Sequence, residues 1–169
     1  NRVRLFFRKC GQKIWKWKYP ILITLLILSV WYYHCLPDKL FSSPTCTILL
    51  DKAGNLLSAQ IADDGQWRFP ENTRVPSKFA QCLVQFEDRR FYDHGGVSIS
   101  ALARATKQNL SAGRVVSGGS TLTMQLARIA RGNKSRNLWE KFIEMTWATR
   151  MEWRYSKDEI MALYASHAP

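Results

Sequence analysis

The segment Glu87-Asp88-Arg89-Arg90-Phe91-Tyr92-Asp93-His94-Gly95-Gly96 crowds carboxylates, a histidine and two glycines against the end of a run with helical periodicity. A helix that gives way to a loop exposes side chains to a cleft, and Phe86 and Phe91 flank Glu87. Burial against aromatic rings is one way to turn a carboxylate into a general base, and shelter between these rings would give Glu87 that role. Composition alone also fits, and favours, a solvated charge cluster with His94 as an ordinary loop residue.

A second segment, Ser117-Gly118-Gly119-Ser120-Thr121-Leu122-Thr123-Met124-Gln125, leads a glycine pair into a helix with a hydroxyl-rich first turn. Unsatisfied N–H groups at such a start favour phosphate, and small side chains let an anion approach. The Gly-Lys-Ser/Thr signature of a nucleotide-binding P-loop is missing. An ordinary N-cap would account for the segment equally well.

In a third segment Lys141, Glu144, Ala148 and Glu152 fall at helical spacing, one polar stripe on a helix that also bears Trp139, Phe142, Ile143 and Trp147. Such a stripe is usually a solvated face. Between Asp93 and Glu140, however, stand Arg104, Lys107, Arg114, Arg128, Arg131, Lys134 and Arg136 with no acid among them, a field suited to a phosphorylated lipid.

The elements that must position these residues follow from pattern. Residues 47–50 and 56–61 are β-prone runs on either side of Asp51-Lys52-Ala53-Gly54-Asn55, which predicts a hairpin, and Asp63-Asp64-Gly65 predicts another turn. After Pro76 five helices are expected. Ser77 caps one over 77–87 with Phe79, Leu83 and Phe86 on one face; Ser98 or Ser100 opens 101–110, which ends near Gly113; and Ser120 caps a run to about 131. Ser135 then opens 138–155, and Ser156 begins the last.

Of the chain's 169 residues, 25 are Lys or Arg and 13 are Asp or Glu. Arg2, Arg4, Arg8, Lys9, Lys13, Lys16 and Lys18 all precede Tyr19, and no acid occurs before Asp38. Residues 19–37 carry no Asp, Glu, Lys or Arg, and as a helix would reach about 28 Å, close to the thickness of a bilayer's hydrocarbon. Trp15 and Trp17 before the run, and Trp31, Tyr32 and Tyr33 after it, supply interfacial belts, and the basic flank places the N-terminus in the cytoplasm. The bulky residues after the apolar run argue against a cleaved signal. Cys10, Cys35, Cys46 and Cys82 lack metal-ligand spacing and are taken as packing residues, although Cys46 and Cys82 would lie in an oxidising compartment. The expected organisation is a basic cytoplasmic tail (1–18), a transmembrane helix (19–36), a linker and β-hairpin (37–72) and a mainly α-helical domain (73–169).

In this order the three segments resemble the glycosyltransferase family of class A penicillin-binding proteins. The family's Glu-Asp-x-x-Phe-x-x-His-x-Gly is met at Glu87, Asp88, Phe91, His94 and Gly96. Its Gly-x-Ser-Thr-x-Thr-x-Gln is met at Gly118, Ser120, Thr121, Thr123 and Gln125, and its Lys-x-x-Glu with a later Leu-Glu and Ser-Lys-x-Glu-Ile at Lys141, Glu144, Met151-Glu152 and residues 156–160. Met124 and His167-Ala168-Pro169 are most similar to the 1C type. Glu140 stands where the family often has Arg, and the family's Tyr-Leu-Asn reads Tyr164-Ala165-Ser166. The resemblance implies a truncated, lysozyme-like α domain, inactive alone, and no Ser-x-x-Lys or Lys-Thr-Gly of a transpeptidase occurs in this stretch.

The implied reaction polymerises lipid II into glycan strands with release of undecaprenyl pyrophosphate and inversion at the sugar carbon. Glu87 and Glu144 would be catalytic, Glu87 as general base. Asp88, Phe91, His94, Gly118, Ser120, Thr121, Thr123, Gln125, Arg128 and Lys141 would bind substrate, and a divalent metal ion, Mg or Mn, would sit at Glu144; no organic cofactor is implied. The implied partners are lipid II, the nascent glycan, the bilayer and other cell-wall synthesis proteins, with catalysis on the periplasmic side of the bacterial inner membrane. A lysozyme-like glycan-cleaving enzyme is the nearest rival. A non-catalytic membrane scaffold is another, and a nucleic-acid binder fits least because the basic tail has no folded reader.

Overall fold

A computed structural model describes residues 2–71, 74–133 and 137–168, with side chains from residue 18 onward. The chain divides into two units, Asn1–Cys35 and Leu36–Pro169. The first is one helix, α1 (Arg2–His34), which runs unbroken through the expected border between tail and span. Pro20 lies inside it, and Thr24 Oγ1 donates to the Pro20 carbonyl at 2.8 Å.

A transmembrane helix over 19–36 finds no support: among the described residues no helix is long and apolar enough to cross a membrane. Helix α1 stops at His34. Its aliphatic stretch, 21–30, is bounded by Lys18-Tyr19-Pro20 and by Trp31-Tyr32-Tyr33-His34. Such a stretch rises only about 15 Å, half of a hydrocarbon core. Its side chains are nonetheless exposed all round, Ile21, Leu22, Leu25, Leu26 and Ile27 among them. The belt residues Trp15 and Trp17, Cys10 and the basic side chains before Lys18 lie outside the described side chains, as Lys134, Ser135 and Arg136 lie outside the described residues.

The second unit opens with a segment that buries Leu36, Leu40 and Cys46. Arg154 clasps it, its Nη1 and Nη2 donating to the carbonyls of Pro37 and Asp38 at 2.9 and 2.8 Å. Strands β1 (Thr47–Leu50) and β2 (Leu56–Gln60) pair antiparallel with Ile48 opposite Ala59, and a bulge at Leu49/Leu50. Asp51 makes the turn between them. Its carboxylate accepts from the amides of Ala53 and Asn55 and from the Asn55 side chain, contacts that hold its pKa below the ordinary value. Cys46 and Cys82 are free thiols. Cys46 is buried as expected of a packing residue, whereas Cys82 is exposed.

Five helices follow: α2 (Ser77–Phe86), α3 (Ile99–Ala112), α4 (Leu122–Ala130), α5 (Leu138–Arg154) and α6 (Lys157–His167). The caps depart from expectation in three places. Pro76, not Ser77, precedes the first turn of α2, and no side chain caps it. Thr121, not Ser120, caps α4, accepting from Met124 N, and Asn137 caps α5 through the Glu140 amide. Ser98 caps α3, which ends at left-handed Gly113, and Ser156 forms a capping box with Glu159 on α6.

The core lies where α4, α5 and α6 meet, around Leu122, Met124, Leu126, Met151 and Ile160, none with measurable exposure. Two members of the polar stripe lie on this inner face: Glu144 and Ala148 are buried residues of α5, as is Met151, while Trp139 and Phe142 are exposed. Glu152 reaches across to α4 and α6, accepting from Thr123 Oγ1 at 2.7 Å and Lys157 Nζ at 2.8 Å. By contrast α2 buries none of its residues, so the shared face of Phe79, Leu83 and Phe86 packs no core.

Gly96 fixes the loop after α2 against α5. Its φ is +87°, and a Cβ there would stand 2.6 Å from the Ala148 carbonyl oxygen, backbone that cannot yield. Gly96→Ala is expected to lower stability by at least about 2 kcal/mol. Gly95→Ala, where a Cβ meets nothing within 4 Å, should stay within about 1 kcal/mol. Thermal unfolding of the two variants side by side checks this, and equal midpoints would contradict it.

Candidate active site

Helix α2 ends at Phe86, and Glu87 and Asp88 follow with their side chains put to different uses. Phe86 is 87% exposed and Phe91 is fully buried beneath Lys157, whose Nζ lies 4.4 Å from the ring centre. An aromatic shelter around Glu87 is therefore not formed, and Glu87 is exposed, as the solvated reading of this cluster has it. Asp88 turns inward. Its Oδ2 accepts from the Leu122 amide at 3.1 Å and lies 2.9 Å from His94 Nε2, so one carboxylate satisfies the first turn of α4 and orients the imidazole.

The approach to α4 is built from small residues for two reasons. A Cβ on Gly119 would come 3.0 Å from Leu102 Cα, so α3 packs directly on that backbone. Gly118 has no such neighbour and forms open wall instead. Asn109 of α3 holds the preceding loop, its Oδ1 accepting from Val116 N and Ser117 N at 2.8 and 2.9 Å. Thr121 takes the cap and also donates to the Gly96 carbonyl at 2.5 Å, tying the first motif to the second. Ser120 is thereby left to the cleft, where Lys141 Nζ reaches its Oγ at 2.5 Å.

A cavity of about 900 Å³ opens there, walled by Gly118, Ser120, Gln125, Arg128, Lys141, Glu144 and Glu87. Lys141 Nζ is 3.3 Å from Glu144 Oε2, and Gln125 Nε2 donates to Glu87 Oε2 at 2.8 Å. Glu87, Gly118 and Ser120 also border a second cavity, about 520 Å³, with Ser98, Ser100, Arg90 and Arg104. Glu87 thus stands on the rim between two hollows. The cationic field is divided: Arg128 and Lys141 face the larger cavity and Arg104 the smaller one. Arg104 and Lys107 also edge a separate hollow of about 630 Å³ on α3.

Glu140, at the position where the resembling family often carries Arg, does not burden the larger cavity with a bare negative charge. Arg131 Nη2 pairs with it at 2.7 Å and lies over the Trp147 ring, so these two charges are spent on each other. As a cation ligand Glu144 offers one carboxylate, already beside an ammonium group. No group of three His, Cys, Asp or Glu side chains able to hold a metal occurs among the described residues. That donor set suits a Mg or Mn ion only if substrate phosphates supply other ligands.

Of the residues singled out from sequence, Glu87, Glu144, Gly118, Ser120, Gln125, Arg128 and Lys141 converge on one cavity, and Asp88 and Thr121 border the second. Phe91, His94 and Thr123 line neither and belong to the frame behind them. Asn109, Asn133, Asn137 and Tyr164 line the larger cavity and were not singled out as site residues. For Tyr164 the signal was present, as the first residue of the fourth motif; for the three asparagines there was none beyond their place next to motif loops.

Residues 54–169 match the transglycosylase family. Penicillin-binding protein 1C of Escherichia coli K12 is 38% identical over 157 residues, 86% of this chain and 19% of that protein. Penicillin-binding protein 1A of Aquifex aeolicus is 34% identical over 85% of this chain and 20% of its own length, and penicillin-binding protein 1B of Vibrio cholerae 45% over 57% and 12%. The chain therefore spans about a fifth or less of these relatives. With the family matched over well more than half of the sequence, the chain belongs to the transglycosylase family.

Proposed function

We propose that this chain carries the reacting groups of a peptidoglycan glycosyltransferase that polymerises lipid II, with Glu87 as the base. What supports the reading most directly is one arrangement: a carboxylate on the rim between two hollows, the larger of which also holds Arg128 and Lys141. Polymerisation needs two sugar-bearing substrates to meet at one proton acceptor. An acceptor hydroxyl in one hollow attacks the anomeric carbon of a donor in the other while Glu87 takes the hydroxyl proton. The carbon–oxygen bond to pyrophosphate breaks from the opposite face, inverting that carbon, and the electron pair leaves on the phosphate.

The leaving group needs no protonating acid if its charge is neutralised, which is the part assigned to Lys141 and Arg128. Glu144 holds Lys141 in place. A divalent ion, if bound, would share Glu144 with the substrate's phosphates and add positive charge there. Ser120 and Gly118 let the phosphates approach. The lysozyme-like character of the α domain belongs to this proposal, as does its place: the exposed aliphatic stretch of α1, flanked by aromatic residues, would hold the chain at the outer face of the bacterial inner membrane, where both substrates keep their lipid tails.

Two variants of the full-length gene product test the assignment with purified lipid II in detergent. Glu87→Gln keeps an oxygen for the Gln125 amide but loses the base, and should cut polymerisation at least about 100-fold while lipid II binding stays near normal. A near-normal rate and strand length would refute the role of Glu87. Lys141→Ala should weaken a pyrophosphate-mimicking inhibitor at least about tenfold; unchanged affinity would remove Lys141 from the leaving-group site. Shortening of existing strands, in place of growth, would favour the hydrolase reading.

A further inference from the structure

We infer that Tyr164 is a positioning residue that aims Glu87 by way of Gln125, fixing which carboxylate oxygen is free to take the proton. The inference rests on the reading of Glu87 as the base. Tyr164 Oη donates to Gln125 Oε1 at 3.0 Å, and Gln125 Nε2 donates to Glu87 Oε2 at 2.8 Å. All three side chains line the same cavity, but they come from α6, from α4 and from the residue that follows α2.

The direction of the chain of bonds follows from what each atom can do. A primary amide turned end for end would set Oε1 against the Glu87 carboxylate, two acceptors with no proton between them, while its nitrogen cannot accept from a phenol. With Tyr164 donating to Oε1, the amide has one favourable orientation, the one that points Nε2 at Glu87. Tyr164 keeps its proton for this purpose: burial raises its pKa above the ordinary 10.0, and the Glu87 charge pushes the same way. It is also held still. The residue is 7% exposed on a helix whose Ile160 and Met161 are core and whose start is locked by the Ser156–Glu159 capping box.

The consequence concerns an exposed base. Since no aromatic shelter holds Glu87, its carboxylate would be free to rotate and to offer either oxygen to either hollow. A bond to Oε2 from a fixed amide removes that freedom, and leaves Oε1 as the proton acceptor. Tyr164 itself acts one residue away from the carboxylate, so its effect on the reaction is expected in the turnover step and only through Gln125.

A double-mutant cycle in the full-length gene product reads this, with steady-state polymerisation of lipid II as the assay. Tyr164→Phe should lower kcat about tenfold and leave KM within about twofold. Gln125→Met, which keeps the side chain's length but cannot donate, should lower kcat at least as much, and adding Tyr164→Phe to it should change nothing further. An equal fold-loss from Tyr164→Phe in both backgrounds would overturn the inference, as would a change in KM alone or no change at all. Should Tyr164→Phe prove unstable, Gln125→Met still decides: retained kcat in that variant is incompatible with the relay. Glu87→Gln run alongside separates the two levels, because activity there sinks the base itself, whereas its loss beside an unaffected Tyr164→Phe sinks only the relay.

Discussion

The Asp88 carboxylate joins parts of the chain 34 residues apart, and the geometry of the site hangs from that joint. Its Oδ2 lies in hydrogen-bond reach of both the first amide of α4 and the His94 ring. A helix start has amides with no partner of their own, and a carboxylate is the group that satisfies them best. Asp88 is tied down inside, while Glu87, the residue before it, stands outward on the rim of the cleft. The two acids that open the first motif therefore have divided duties, one structural and one facing the hollows.

The other motifs are fastened to the same joint. Thr121 both caps α4 and donates to the Gly96 carbonyl, and Gly96 in turn lies against α5 at Ala148 with no room for a side chain. Lys157 donates to the His94 carbonyl and to Glu152, which accepts from Thr123 as well. Residues that looked like substrate contacts, such as Phe91, His94 and Thr123, are the fabric that keeps the cleft-facing residues in register. Cleft-facing positions are left to residues the frame does not need: Ser120, because Thr121 is the cap, and Gly118, because Gly119 makes the close approach to α3.

Much of this was legible in the residues. The hairpin follows from β-prone runs around Asp51 and Gly54, and its second strand ends at Gln60, one residue earlier than expected. Ser98 and Ser156 cap where a polar residue precedes an apolar periodic run. Periodicity, however, says which residues share a face and not what that face meets. The Lys141, Glu144, Ala148 and Glu152 stripe does share one face, but spacing does not show that Glu152 is spent on Thr123 of α4 and Lys157 of α6 while Lys141 and Glu144 pair beside the cavity. Phe86 and Phe91 flank Glu87 in sequence, yet the turn between them sends one to solvent and the other into the core. The apolar stretch of α1 counted long enough to span only by including residues beyond His34, where the helix has already ended. Tyr164 was visible as a motif residue, but its bond to Gln125 crosses 39 positions and has no local signature.

The central claim is that a lipid-linked pyrophosphate leaves from the cavity that Glu87 shares with Arg128 and Lys141. The most direct measurement is a structure of the full-length gene product with a non-reactive phosphonate analogue of the donor bound. The account predicts both phosphorus groups within hydrogen-bond distance of Lys141 and Arg128, with the anomeric carbon turned toward the rim at Glu87. Phosphorus density beside Arg104 and Lys107 on α3, with the larger cavity empty, would contradict it.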